Sequence, residues 1–146
     1  MLANDDTCFV CGKRNPDGLQ LEFTYPDDAT ARTVFVPGKR YEGWRDIVHG
    51  GIILTLLDET MAKAAVRKGY AVVTGEIQAK FKAPARVLDT LHCEARVIAV
   101  KRSIVYAQGA VHADGGRIIA EATAKMVVSG KPHTAQQPDC SERQWK

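Results

Sequence analysis

The stretch His49-Gly50-Gly51-Ile52-Ile53-Leu54-Thr55-Leu56-Leu57-Asp58-Glu59-Thr60 decides how this chain is read. After the two glycines it is apolar on nearly every side of a helical wheel, which predicts a helix buried nearly all round. The helix is expected from about Gly50 to Lys68, with Gly69 just past its end and Arg67 and Lys68 at the negative end of its dipole. Two adjacent acids interrupt the apolar run. Glu59 has Lys63 at i+4, the favourable order for an ion pair, and reads as a solvated, paired surface acid. Asp58 lies about 100° away, among Leu54, Thr55, Ala62 and Ala65, with no cation among these neighbours to pair with. An unpartnered carboxylate in such a place is costly, so it has either a functional task or a hydrogen-bonded place at a subunit seam.

Outward from the helix, the chain reads as strands. Leu19 to Tyr25 and Thr30 to Val36 alternate apolar and polar residues around the Pro26-Asp27-Asp28 turn, predicting a hairpin. A loop rich in Gly, Pro and aromatics covers 37–48. After the helix come four runs with period-2 alternation, at 72–82, 89–99, 103–113 and 118–128. In the first, the inward face is read as Val73, Gly75, Ile77, Ala79 and Phe81. The last three present mainly Ala, Gly and Val on their apolar faces, a shallow surface that lets a sheet curl closely round a helix. The expectation is an α+β layout, an antiparallel sheet of five to six strands wrapped around one long central helix, which is the hotdog fold. One domain is expected over 1–146, with an N-terminal arm at 1–18, a core at 19–128 and a polar tail at 129–146.

The 146 residues are 45% hydrophobic and 25% charged, with a net charge of +3. That charge is too mild to argue for nucleic acid, no stretch is long and apolar enough for a membrane span, and no export signal is read in MLANDDTCFVCG. A cytoplasmic setting follows by default. Of the cysteines Cys8, Cys11, Cys93 and Cys140, the pair in Cys8-Phe-Val-Cys11-Gly12 has the spacing of half a zinc knuckle. A structural site needs four ligands and no second pair follows, so a packed arm is expected and no metal. Cys140 and His133 join only if the tail folds back. A zinc-stapled interaction module stays as a minor alternative.

Gly50 and Gly51 stand where the first helical N–H groups have no intrahelical acceptor and the dipole is positive. Such a place holds a phosphate or polarises a carbonyl that becomes negative in a transition state; the competing reading is a tight entry into the helix. Gly51 and Asp58 are separated by about 10.5 Å of helical rise. They act on one carbonyl only if two antiparallel copies bring Gly51 of one against Asp58 of the other, which predicts a homodimer.

These residues together resemble the hotdog acyl-CoA thioesterases, nearest to the phenylacetate-degradation subgroup. The resemblance rests on His49-Gly50-Gly51 with Asp58 following, Cys8-Phe-Val-Cys11-Gly12 with Asn15-Pro16-Asp17-Gly18-Leu19, Tyr41-Glu42-Gly43-Trp44, and Val73-Thr74-Gly75-Glu76 leading to Ala83-Pro84-Ala85. It implies hydrolysis of a coenzyme A thioester to a free acid and coenzyme A, without metal or organic cofactor. Asp58 would activate water or attack, the Gly51 N–H would polarise the carbonyl, His49 would orient substrate or loop, and Thr74 would help place the water. Gly50 would take part in substrate binding. Some relatives carry an asparagine shortly before the histidine, where this chain reads Gly43-Trp44-Arg45-Asp46. Trp44 is a candidate for the acyl pocket, and Lys82, Arg86, Lys101 and Arg102 for the coenzyme A phosphates; each also reads simply as a loop anchor or a solvated cation. The expected assembly is a dimer or a pair of dimers. A hydratase or dehydratase, and a non-catalytic acyl-CoA-binding domain, are the alternatives.

Overall fold

A computed structural model describes residues 6–129. The expected polar tail, with Cys140 and His133, lies outside the described residues beyond Ser129. The order of elements is β1 (Thr24–Asp27), β2 (Thr30–Phe35), a 3-10 turn (Lys39–Tyr41), α1 (Gly50–Arg67), β3 (Val72–Phe81), β4 (Leu91–Lys101), β5 (Ile104–Ala113) and β6 (Ile118–Val128). The strands form one antiparallel sheet in the order β1-β2-β4-β5-β6-β3. The helix packs across it, mostly over β4 and β5. This is the hotdog arrangement.

The helix buries a stripe at helical spacing, Ile53, Leu56, Leu57, Thr60, Met61, Ala64 and Ala65. Each of the larger side chains contributes roughly 1.5–3 kcal/mol by leaving water. The sheet meets it with Ala95, Ala107, Ala120, Ala122 and Ala124, all buried. Small residues there bring helix and sheet close, as at Gly109, where an added Cβ would stand 3.1 Å from the Ala95 Cβ and 3.4 Å from the Leu57 side chain. Burial within the chain is one-sided, however. Ile52, Leu54, Thr55, Asp58 and Ala62 are only partly covered, so the helix is not enclosed all round.

Three boundaries and faces differ from the sequence reading. The segment from Leu19 carries ladder pairing only from Thr24, because residues 19–21 instead bond the arm, through Leu19 N–H to Phe9 O (2.8 Å) and Leu21 N–H to Val10 O (2.8 Å). In β3 the expected inward face holds only for Ile77 and Ala79. Gly75 is an extra residue opposite the Met126–Lys125 step of β6, a bulge that reverses the alternation. Upstream of it Val72 and Thr74 are the half-buried residues, while Val73 is exposed. A second irregularity, between Val97 and Ala99 in β4, leaves Ile98 exposed and brings Val100 against the core.

Candidate active site

The loop before α1 delivers the helix start to one end of the sheet. The His49 N–H donates to Tyr41 O (2.8 Å) and the Val48 N–H to Ala85 O (2.9 Å). His49 is the N-cap: its Nδ1 accepts the Gly51 N–H at 2.9 Å, which satisfies one of the orphan donors of the first turn. With Nδ1 accepting, a neutral His49 carries its proton on Nε2. The Gly51 N–H is therefore engaged within the chain. Among the described residues the Gly50 N–H has no hydrogen-bond partner. Gly50 also lines a cavity of about 300 Å³ with Val48, Ile53, Phe81, Lys82 and Pro84.

Two turns along the helix, Asp58 is half-buried and its Oδ1 accepts the Thr74 hydroxyl at 2.6 Å. The Gly75 bulge is what aims Thr74 at the helix. The carboxylate thus has a neutral donor from β3 in place of a cation, and its other oxygen has no partner among the described residues. Beside Asp58, β3 is an edge strand of ten residues. Its Val73 and Phe81 are 52% and 53% exposed, an unusual load for an edge facing water.

The expected cations fall at two ends of the molecule. Lys82 and Arg86 lie near the helix start; Lys82 pairs with Glu121 (3.8 Å), and the backbone of Arg86 pairs with Ile47. Lys101 and Arg102 sit at the β4–β5 turn, by the far ends of β3 and β6, with the Lys101 ammonium 5.8 Å from the Tyr106 ring centre. Trp44 is 84% exposed on the loop before the helix.

The sequence reading missed two features. One is the His49 cap, hidden because histidine is an uncommon N-cap residue. The other is the environment of Glu59. It is half-buried rather than solvated, and the Cys8 Sγ–H points at its Oε1 across 3.8 Å. The Cys8 thiol is pulled down to about 5, first by a hydrogen bond from the Cys11 side chain and further by the Val10 N–H and the Lys63 charge, against the opposing effect of burial. Burial pushes the Cys93 thiol up to about 12.

The sequence profile of the thioesterase superfamily matches residues 46–120, about half of the chain. Mouse acyl-coenzyme A thioesterase THEM5 is 35% identical over 60 residues, which are 41% of this chain and 24% of that protein. The chain thus aligns with about a quarter of this curated relative. Among solved structures, the E. coli PaaI protein from the phenylacetic acid degradation operon superposes with a TM-score of 0.74 at 21% identity, over 80% of this chain and 84% of that one. The protein smu.793 from Streptococcus mutans, bound to acetyl CoA, gives 0.73 at 20% identity, over 77% and 90%. The matched profile runs from the helix entry, across the Asp58–Thr74 pair, into β6, and the chain belongs to the thioesterase superfamily.

Proposed function

We propose that the protein hydrolyses an acyl-coenzyme A thioester to a free acid and coenzyme A, with Asp58 as the base that activates water. The observation that carries this reading is the Asp58–Thr74 hydrogen bond, a carboxylate held in one orientation by a hydroxyl on an apolar flank. The Thr74 bond occupies one oxygen and leaves the other to take a proton from water. Water adds to the thioester carbonyl, the proton passes to Asp58, and the tetrahedral intermediate expels the coenzyme A thiolate, which takes up a proton.

The oxyanion needs a preorganised donor. The Gly50 N–H fits this role better than that of Gly51, which His49 already engages. His49 then acts by shaping the first turn, with its Nε2–H directed to substrate or solvent. Gly50 and Asp58 of one chain are too far apart along the helix to share a carbonyl. A second copy, paired antiparallel along the β3 edge, would set Gly50 of one chain opposite Asp58 of the other and would cover Val73 and Phe81. The same two-fold would bring the Lys101–Arg102 end of one protomer toward the Lys82–Arg86 end of its partner, where coenzyme A phosphates are expected. Trp44, exposed beside this entrance, suits the acyl chain or the adenine. The mouse relative's name and the acetyl CoA in the Streptococcus mutans structure support this substrate class. No helix among the described residues is long and apolar enough to cross a membrane. A setting in the cytoplasm, and a chemistry that needs no metal or organic cofactor, belong to this same reading.

Coenzyme A release from short, medium, long and aromatic acyl-CoAs tests the proposal, with wild type and Asp58→Asn side by side. One class is expected to turn over, with a loss of about a hundredfold or more in the variant, the size of a lost general base. Equal rates in the two folded proteins, or no turnover of any class, would sink it.

A further inference from the structure

The N-terminal arm and the middle of α1 bring together a ligand set that the sequence shows only in part. Ligand atoms of Cys8, Cys11 and Glu59 all lie within 4.8 Å of one another. Two come from a tight turn and one from the helix, 51 residues further along the chain. The Cys8 Sγ and Glu59 Oε1 are 3.8 Å apart. Zinc held at about 2.3 Å by thiolates and about 2.0 Å by a carboxylate oxygen asks for tetrahedral edges of roughly 3.5–3.8 Å, so the set needs little movement to close on an ion. The turn is built for this. The Gly12 N–H donates to Cys8 O (2.9 Å) and the Val10 N–H to Cys8 Sγ (3.4 Å). No other residue fits at Gly12 without a shift, because a Cβ there would stand 2.4 Å from Cys8 N and 2.6 Å from Asp6 O.

We infer that Cys8, Cys11 and Glu59 form a zinc site that clamps the N-terminal arm to α1, with water as the fourth ligand. Two soft thiolates with one carboxylate favour zinc over the hard cations magnesium and calcium. Charge agrees. Three anionic ligands exceed the charge of the ion by one, and Lys63, buried one turn after Glu59, supplies the balancing positive charge. Its ammonium is 5.4 Å from the Phe23 ring centre, which keeps it on this side of the helix. Metal binding releases the thiol protons and adds its free energy to folding. The site is separate from the thioesterase reading, since Glu59 faces the arm while Asp58 faces β3.

The test uses the untagged full-length protein, reduced and stripped of metal, then titrated with zinc and with cobalt(II). The expected result is about one equivalent of either ion per chain, a thiolate-to-cobalt charge-transfer absorption, and a melting temperature that rises by several degrees with zinc. Cys8→Ser should lose most of the charge-transfer intensity. Glu59→Gln should weaken zinc at least about tenfold in competition with a chelating dye. Cys11 is buried, so Cys11→Ser also tests folding. If variants fail to fold, the wild-type cobalt spectrum decides on its own. Less than about 0.1 equivalent of either ion at saturation would overturn the site. So would binding unchanged in folded Cys8→Ser or Glu59→Gln, or a Cys8–Cys11 disulfide whose reduced form takes up no metal.

Discussion

Asp58 and Glu59 are neighbours on α1, yet they serve opposite sides of it. Asp58 turns to the edge strand β3 and takes a hydroxyl from Thr74. Glu59, about 100° round the helix, turns to the arm and meets the Cys8–Cys11 turn. One flank is open at the sheet edge, where the proposed second copy and substrate would enter. The other is covered by residues of the same chain. Adjacent carboxylates thus meet separate partners because a helix points consecutive side chains at different neighbours.

The sharpest way to break this division is to neutralise the two acids in parallel. Asp58→Asn is expected to cost about a hundredfold or more in kcat with little change in melting temperature. Glu59→Gln is expected to show in zinc affinity and thermal stability before it shows in turnover. If the two variants lost activity equally, the flanks would not be independent. Next in size comes Thr74→Ala, which removes a hydrogen bond to a charged group worth about 1.5–3 kcal/mol. A kcat loss of roughly tenfold or more is expected, with Thr74→Ser restoring most of it. Failure of the serine to rescue would show that the methyl group, not the hydroxyl, matters.

His49→Ala probes the helix start. Loss of an N-cap costs about 1 kcal/mol, or roughly 2–4 °C in melting temperature for a chain of this size. A loss of kcat as deep as that of Asp58→Asn would instead place His49 on the substrate. The smallest effect is expected from Glu59→Gln in metal-free protein. The Cys8 Sγ to Glu59 Oε1 contact is weakened there, and thermal melts should move by about a degree or two.

Most of the fold was legible because its signals are periodic. The apolar run after Gly51, and the alternation in β4, β5 and β6, place those elements within a residue or two of their observed bounds. Asp58 was legible as a candidate from its place in the apolar run and Thr74 through the family resemblance, and the structure brings them together. What escaped reading depends on a single residue or on distant contacts. Gly75 shifts the phase of β3 without a visible break in the pattern. The occupied N–H of Gly51 follows from one rotamer of His49. Glu59 looked like half of an i,i+4 surface pair because nothing local announces that the arm will fold onto it. The four basic residues looked alike as turn cations, and only the topology sorts them to opposite ends.

The bulge at Gly75 has a further consequence. It works as a phase adapter in the middle of one strand. The portion before it can vary to suit the acid on α1, and the portion after it can vary to suit the core, without either dictating the alternation of the other. Were Gly75 to pair as an ordinary ladder residue, the repeat back from Ile77 would be continuous and would turn Thr74 outward and Val73 toward Asp58. The core would keep its apolar lining, but the carboxylate would face a methyl group instead of a hydroxyl. A change that flattens the bulge while keeping Gly75 in the ladder is therefore a mutational route by which a lineage could keep the architecture and abandon the proposed chemistry.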